Sequence, residues 1–194
     1  ILNADTLQNA NLSEDETQTV LFYIQRQCKW LERMIQKLLK LVTLKQDIDI
    51  KKASVYRLFS SVEESTAETL RQREISLVTD CRTDTLNIDA DLMQSVLINL
   101  VDNASKSSAP GQTVTMCAYD NVIEVSDHGT GIPQSEIDRI MEPFYVVDKS
   151  RSKKMGGNGL GLALVKEIVS AHDANLTIQS TLGVGTTFRI AFKQ

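Results

Sequence analysis

The residues with the most specific chemistry lie in three segments of the second half of the chain. A strongly apolar segment carries Asn99, Asn103 and Lys106, whose spacing places them on one face of a helix. Residues 127–131 read Asp-His-Gly-Thr-Gly, and residues 156–161 read Gly-Gly-Asn-Gly-Leu-Gly. A carboxylate, an amide pair, a lysine and a glycine-rich loop are the parts from which a nucleotide site is built. Their order and spacing predict such a site.

The presence of two asparagines inside a predicted helix needs an explanation, because their amides compete for backbone hydrogen bonds. Side-chain carbonyl oxygens suit Mg²⁺, which takes few protein ligands and keeps phosphate oxygens and water. We therefore interpret Asn99 and Asn103 as ligand-facing, with Lys106 as a point charge near the phosphates. A solvated polar face is the alternative for this helix alone. Asp102 is a candidate outer-sphere or structural partner.

Asp127 is predicted to end a strand and to meet a flat ligand. Gly129 and Gly131 follow it, and glycine lets the backbone turn sharply and approach a ligand closely. A carboxylate at this point can accept a hydrogen bond from an exocyclic amine, which favours adenine over guanine. A plain turn is the alternative. The Thr186 hydroxyl, at the start of the last predicted strand, is expected to support Asp127 or to reach the base through water, with a hairpin turn into an edge strand as the alternative.

The second glycine-rich segment lies at the entry to a predicted helix over 160–171. Unpaired N–H groups and the positive end of the helix dipole bind phosphate there. The sequence is neither a Walker loop nor a dinucleotide fingerprint, because no Gly-Lys-Ser/Thr follows and a lysine-rich loop precedes it. Residues 144–155 are interpreted as a mobile basic lid, with a solvated charge run as the alternative.

The composition limits the classes of function. The 194 residues have a net charge of -4, which argues against nucleic acid as a partner. No apolar run approaches the roughly 20 residues of a spanning helix, and the first residues do not resemble a signal peptide but a cut through a larger protein. Three widely spaced cysteines (Cys28, Cys81 and Cys117) are expected to be reduced, buried thiols in a cytoplasmic chain.

The N-terminal part, residues 1–46, is predicted to be a partial helical hairpin. Ser13 and Glu16 form a capping-box sequence at the start of its second helix. Apolar residues then recur in steps of three and four, the period of a supercoiled bundle, at Leu21, Ile24, Cys28, Leu31, Ile35, Leu38 and Val42. We expect a homodimer through this hairpin. The alternative is that the seam packs on the globular part of the same chain.

After a polar link over 47–52, residues 53–194 are predicted to form one α+β domain. Its expected architecture is a two-layer sandwich, a mixed sheet with helices on one face. The predicted helices cover 53–73, 89–107, with Asp89 as N-cap, 135–141 and 160–171. The predicted strands cover 75–78, 113–119, 122–126, 176–180 and 186–192, with Asp120-Asn121 as a hairpin turn.

Five motifs, in order, resemble the ATP-binding domain of sensor histidine kinases, in the superfamily shared with gyrase and mismatch-repair ATPases. They read LINLVDNASK, DHGTGIP, EPFYVVDKSR, GGNGLGLALV and GVGTTF. Residues 13–46 resemble the second helix of the family's dimerisation and phosphotransfer hairpin. The resemblance implies a Bergerat-type fold, transfer of the γ-phosphoryl of ATP to a histidine, and relay to a response-regulator aspartate.

The resemblance also implies the roles of individual residues. Asn103 would help to coordinate Mg²⁺, Asn99 and Lys106 would hold phosphates, and Asp127 would bind adenine. The other motif residues implied to contact the nucleotide are Gly129, Gly131, Ile132, Phe144, Arg151, Gly157, Asn158, Gly159, Leu160, Gly161, Leu162 and Thr186. The implied location is the cytoplasmic part of a membrane-anchored sensor.

Some positions depart from the family pattern. His128 stands where asparagine is commoner, Ser107 where tyrosine is frequent, and Val146 where a basic residue is frequent. The family's acceptor histidine lies in a His-Glu/Asp motif on the first hairpin helix, and no such motif occurs here. His172 is interpreted as a residue at a helix C-terminus. We expect the acceptor upstream of residue 1, and therefore expect ATP binding without self-phosphorylation.

Two other functions remain open on the sequence. A conformational ATPase of the gyrase type is disfavoured, because Asn99 stands where those enzymes resemble one another in having a glutamate base. A non-catalytic nucleotide-binding and dimerisation module would need lost motif residues, and Asn103 and Asp127 are intact.

Overall fold

A computed structural model describes residues 13–43, 48–147 and 159–193 of the chain. The chain divides into two compact units, residues 1–39 and residues 40–194. Helix α1 covers Glu14–Thr43, and the predicted helix before it lies outside the described residues. Within the described ranges, no helix is long and apolar enough to cross a membrane.

Reciprocal hydrogen bonds fix the start of α1. The Ser13 backbone N–H donates to Glu16 Oε2 at 2.9 Å, and the Glu16 backbone N–H donates to Ser13 Oγ at 3.3 Å. This arrangement is the capping box that the sequence predicts. Along the helix, Leu21, Leu31 and Ile35 are each about half exposed. The predicted helix is therefore confirmed, and the dimer that would cover its apolar seam stays a prediction.

The second unit contains two sheets. Its strands are β1 (Lys51–Ser54), β2 (Ser76–Cys81), β3 (Thr85–Ile88), β4 (Thr113–Tyr119), β5 (Val122–Asp127), β6 (Asn175–Thr181) and β7 (Gly185–Ala191). Five strands form a mixed sheet of order β2-β4-β5-β7-β6, in which only β2 and β4 run parallel. Strands β1 and β3 form a separate antiparallel pair.

Three helices cover one face of the five-stranded sheet: α2 (Val55–Gln72), α3 (Ala90–Ser107) and α4 (Gly161–Ala171). Side chains along β4 alternate between half-buried and buried, the period expected of a sheet with one covered face. The buried residues of β4, β5 and β7 join those of the three helices in one core. This confirms the predicted α+β, two-layer architecture.

Helix α3 is fixed at its N-terminal end by Asp89. The carboxylate accepts from the Leu92 backbone N–H at 3.0 Å and from the Asp49 backbone N–H at 3.1 Å. The Asp89 backbone N–H donates to His172 Nε2 at 3.0 Å, and His172 Nδ1 lies 2.8 Å from the Ile168 carbonyl oxygen. Because Nε2 accepts, the ring proton must be on Nδ1. His172 therefore closes α4 and joins it to α3, which confirms its predicted place at a helix end.

The structure corrects the end of the predicted link and adds a two-stranded sheet that the sequence did not predict. The link was expected to extend through Lys52, but Lys51 and Lys52 pair in β1 with Ile88 and Asn87 of β3. Neither strand was predicted. Each has only four residues, and the two lysines of β1 are exposed, so the apolar alternation that marks a strand is too short to detect.

Two further expectations are wrong. Instead of a helix over 135–141, two 3₁₀ helices occur, Gln134–Glu136 and Arg139–Met141. Only Ile140 and Met141 of this segment are buried, which is too narrow an apolar stripe to support a longer helix. Cys28 and Cys81 are exposed and Cys117 is half-buried, so none of the three is a fully buried thiol as expected.

The packing predicts that the core depends on the centre of α3. Leu100 is 1% exposed, so the change Leu100→Ala leaves a cavity and should lower the free energy of unfolding by about 2–5 kcal/mol. Leu182, in the turn after β6, is 65% exposed, and Leu182→Ala should stay within about 0.5 kcal/mol of wild type. Urea denaturation measures both, and similar values for the two variants would contradict the described packing.

Candidate functional site

Asp127 ends β5 as a buried carboxylate. It is 7% exposed and lies opposite Thr186 of β7 in the strand register. The Gly129 backbone N–H donates to its Oδ1 at 2.8 Å. Burial raises the pKa of the Asp127 carboxyl, and hydrogen bonds with Gly129, Ser107 and Thr186 only partly oppose that rise. A buried carboxylate with a raised pKa is a typical feature of a ligand site.

The turn after Asp127 touches the end of α3, backbone against backbone. A Cβ atom on Gly129 would lie 2.4 Å from the Ser107 carbonyl oxygen, and the Thr130 backbone N–H donates to that same oxygen at 3.1 Å. On the other side, a Cβ atom on Gly185 would lie 2.0 Å from the Asp127 carbonyl oxygen. Side chains at either glycine would separate the helix, the turn and β7.

The same turn is joined to the hairpin of β6 and β7. Gly131 has a φ of +64°, and a Cβ atom there would lie 2.1 Å from the Thr181 carbonyl oxygen. The half-buried Ile132 donates its backbone N–H to Ser180 Oγ at 2.8 Å. Ser180 Oγ also lies 2.9 Å from Thr186 Oγ1, so the Thr186 hydroxyl is engaged with Ser180. Ser180 has no signal in the sequence, because a serine on an exposed strand is ordinary.

The three polar residues of α3 share a half-buried stripe but differ in their contacts. Asn99 donates its side-chain N–H to the Ser95 carbonyl oxygen at 2.7 Å, a bond within its own helix. The Asn103 side chain makes no hydrogen bond within the part of the chain that the structure describes. Asn103 is therefore the amide whose presence in the helix is least explained by the fold itself.

Asp102 pairs with two cations, as expected of a structural partner. Its carboxylate oxygens lie 2.7 Å from Lys106 Nζ and 2.9 Å from Arg73 Nη1, and Arg73 also donates to Ser105 Oγ. Burial alone would raise the pKa of Asp102, but the ion pairs with Lys106 and Arg73 outweigh it and hold that pKa below its ordinary value. Lys106 is thus held in an ion pair within its own helix.

The start of α4 is the end at which the sequence predicts phosphate binding. Leu160 is fully buried ahead of Gly161, and no described side chain caps the first turn of the helix. Backbone N–H groups at such a start can bind an anion. Gly159 has a φ of +67°, and its carbonyl accepts from the Phe144 backbone N–H at 2.9 Å. Leu162 is half-buried in the first turn.

The contacts place the candidate residues in two groups. Ser107, Asp127, the two glycines after it and Thr186 form one, while Phe144 and Gly159 form the other. Helix α3 packs against β5, which ends at Asp127, and against α4, which begins two residues after Gly159. The Phe144 side chain is 56% exposed. Arg151, Gly157 and Asn158 lie outside the described residues, so their predicted contacts stay predictions.

The contacts also bear on how a metal ion could be bound. The described residues contain no group of three or more His, Cys, Asp or Glu side chains that could bind one. Mg²⁺ commonly binds through one or two protein oxygens together with substrate phosphates and water. The amide oxygen of Asn103 fits that mode of binding.

Comparison with known proteins agrees with this geometry. The family model described as Histidine kinase-, DNA gyrase B-, and HSP90-like ATPase matches residues 88–194. The circadian input-output histidine kinase CikA of Synechococcus elongatus is 34% identical over 154 residues, 75% of this chain and 20% of CikA. The sensor histidine kinase WalK of Bacillus subtilis is 40% identical over 117 residues, 56% of this chain and 19% of WalK. The chain thus spans about a fifth of the length of these relatives.

Solved structures share the fold. The histidine kinase AdeS of Acinetobacter baumannii superposes with a TM-score of 0.78 at 18% identity, covering 99% of this chain and 92% of AdeS. The mycobacterial sensor histidine kinase MprB gives a TM-score of 0.60 at 25% identity, covering 74% of this chain and 97% of MprB. At such identities, the likeness to AdeS concerns the arrangement of the chain alone.

The contact between the turn after β5 and α3 predicts that a methyl group added at Gly129 lowers stability. Gly129→Ala should force the two backbones apart, lower the free energy of unfolding by about 1–3 kcal/mol and speed hydrogen exchange of the Thr130 amide. Gly111→Ala is the control, because Gly111 has a φ of +83° and no atom within 4 Å of an added Cβ. That control should be destabilised by backbone strain alone, with Thr130 unchanged. Equal Thr130 exchange in both variants would contradict the contact.

Proposed function

The chain belongs to the Histidine kinase-, DNA gyrase B-, and HSP90-like ATPase family, and on that basis we propose that it is the ATP-binding catalytic part of a sensor histidine kinase. It transfers the γ-phosphoryl group of ATP to a histidine, from which a response-regulator aspartate receives it. One observation carries the proposal: the buried Asp127 carboxylate stands beside a turn whose glycines meet the end of α3. This combination suits a flat base that carries an exocyclic amine.

The carboxylate distinguishes adenine from guanine by hydrogen bonding. Adenine has an amino group where guanine has a carbonyl oxygen, and an ionised Asp127 accepts from the first but repels the second. The Gly129 N–H already occupies part of the carboxylate, which fixes its orientation. A rigid, partly desolvated acceptor discriminates more strongly than an exposed one, because the wrong partner leaves a buried group unpaired.

The phosphates are proposed to lie between α3 and the start of α4. Asn103 offers an amide oxygen to Mg²⁺, and Asn99 and Lys106 hold phosphate oxygens from the same face of α3. When bound, Mg²⁺ neutralises charge on the transferred group. The backbone N–H groups at the start of α4 supply the remaining anion contacts. Arg151, Gly157 and Asn158 are proposed to add contacts from the segment before Gly159.

Two alternatives receive less support. A conformational ATPase needs a carboxylate to activate water, and Asn99 instead donates its amide to Ser95 within α3. A non-catalytic module would be expected to have lost motif residues, whereas Asn103 and Asp127 are both present. We further propose that the exposed seam of α1 pairs with a second copy of the chain, and that the protein works on the cytoplasmic side of the membrane, where ATP and response regulators occur.

Recognition of adenine by Asp127 predicts that removing its negative charge weakens nucleotide binding strongly. Asp127→Asn keeps an acceptor for Gly129 but presents an N–H₂ group to the adenine amine. The affinity for a non-hydrolysable ATP analogue with Mg²⁺ should therefore fall by roughly 10- to 100-fold. Titration calorimetry measures it. Asp173→Asn is the control, because that exposed carboxylate pairs only with Lys193 at 2.6 Å, and its affinity should equal that of wild type.

The same variant gives a pH test. Burial raises the pKa of Asp127, so as pH falls this carboxylate gains its proton above the ordinary value of about 3.9. The protonated acid is a poorer acceptor, so wild-type affinity should decrease through that window. Asp127→Asn should lack the part of the pH dependence that comes from this carboxyl group. Any titration of the nucleotide itself affects wild type and variant alike. Equal affinity of wild type and Asp127→Asn at every pH would remove the adenine assignment.

The two histidines of the sequence predict the outcome of labelling. His172 is buried with both ring nitrogens hydrogen-bonded, and His128 lies beside Asp127, at the adenine end. With γ-labelled ATP the chain alone should stay unlabelled, whereas a separate hairpin that bears the family's histidine motif should become labelled. Asn103→Ala should slow this transfer by about 100-fold, while Asn175→Ala, on exposed β6, should not.

A labelled band on the chain alone would contradict the prediction that neither His128 nor His172 accepts the phosphoryl group. Fast, sustained release of phosphate without transfer to the hairpin would favour the conformational ATPase instead.

A further inference from the structure

Three side chains form a cluster in the segment between the glycine turn and α4. The Tyr145 hydroxyl donates to the Glu136 carboxylate, and the Arg139 guanidinium carbon lies 4.3 Å from the centroid of the Tyr145 ring. This distance and position are those of a cation–π contact. We call Tyr145, Glu136 and Arg139 the Tyr145 clamp. None of the three has a role in the site described above.

The residue before Tyr145 has a strained backbone. Phe144 has a φ of +66°, a conformation that bulky residues rarely adopt. Its side chain is 56% exposed, so burial of the ring gives little compensation. The conformation must be held by its neighbours, which are the Tyr145 clamp on one side and the bond from the Phe144 N–H to the Gly159 carbonyl at 2.9 Å on the other.

Phe144 and Gly159 are in direct backbone contact. A Cβ atom on Gly159 would lie 2.6 Å from the Phe144 carbonyl carbon and 2.8 Å from the Tyr145 carbonyl oxygen. Gly159 is followed by the fully buried Leu160 and by the first residue of α4. The direction in which the chain enters α4 is therefore set by the core through Leu160 and by Phe144 through Gly159.

The clamp connects the two ends of a continuous series of tight turns. The Glu136 N–H donates to the Pro133 carbonyl at 2.9 Å, the Glu142 N–H to the Arg139 carbonyl at 2.9 Å, and the Tyr145 N–H to the Glu142 carbonyl at 3.2 Å. Ile140 and Met141 anchor the middle of the segment in the core. Closing it from Tyr145 to Glu136 fixes both ends relative to that anchor.

We propose that the Tyr145 clamp is a positioning device for the phosphate groups of the nucleotide. It stabilises the strained turn at Phe144, and this turn fixes the position of Gly159. The position of Gly159 in turn orients the backbone N–H groups of the first turn of α4. The three residues act through Gly159 and do not touch the nucleotide. This inference rests on the proposed function, because it assigns a role within the same nucleotide site.

The test compares two ligands and a matched control. Adenosine carries the base without phosphate, and a non-hydrolysable ATP analogue with Mg²⁺ carries both. Tyr145→Phe removes only the hydroxyl. Tyr119 offers the same chemistry elsewhere, because its hydroxyl donates to Glu124 at 2.7 Å and Arg189 lies 5.8 Å from its ring centroid, all on the strands of the main sheet. Tyr119→Phe therefore removes an equivalent bond that has no connection to Gly159.

Tyr145→Phe should weaken binding of the ATP analogue by about 3- to 10-fold, the range of one net hydrogen bond. Adenosine affinity, followed by NMR titration, should be unchanged. Tyr119→Phe should change neither. Glu136→Gln keeps an acceptor for the Tyr145 hydroxyl and should bind the analogue more tightly than Glu136→Ala.

Each outcome distinguishes this inference from the function on which it rests. If wild type binds neither ligand, the proposed function fails and the inference fails with it. If wild type binds both and Tyr145→Phe binds the analogue equally well, the inference alone is overturned. A parallel loss of adenosine and analogue affinity, with a lower thermal midpoint than Tyr119→Phe, would make the clamp merely structural and would also overturn it.

Discussion

The site depends on a contact between two stretches of backbone, the last turn of α3 and the turn that follows β5. The Ser107 carbonyl accepts from Thr130, and it lies so close to Gly129 that no side chain fits there. Through this contact the helix that carries the amides meets the strand that carries Asp127. This contact adds to the core packing of α3 on β5 and places Ser107 beside the turn that follows Asp127.

The opposite end of α3 is fixed in a different way. Asp89 caps the helix and receives the Asp49 amide, while its own N–H binds the buried His172 at the end of α4. Side-chain hydrogen bonds hold this end. At the C-terminal end, backbone contact keeps side chains out of the space beside Asp127. A helix held at both ends presents its polar stripe with little freedom to rotate.

The sequence predicts those features that depend on neighbouring residues. The cap at Asp89, the hairpin turn at Asp120-Asn121 and the apolar stripes of α2 and α3 are all local patterns, and each occurs in the structure. Features that depend on distant partners were not predicted. Strand β1 is polar and exists because β3 pairs with it, and Asp102 binds Arg73 from a position 29 residues away. The motifs predict which residues share a site, whereas the contacts between them depend on the fold.

The asparagines show why spacing alone cannot assign roles. Asn99 and Asn103 have the same chemistry one turn apart, and the pattern of the sequence treats them equally. In the structure Asn99 bonds back to Ser95, which stabilises the amide without any ligand, while Asn103 has no such bond to a described residue. Lys106, on the same stripe, differs from both asparagines, because its charge is balanced by the Asp102 carboxylate at 2.7 Å. Asp102 is also paired with Arg73 at 2.9 Å, so this half-buried carboxylate has two cationic partners.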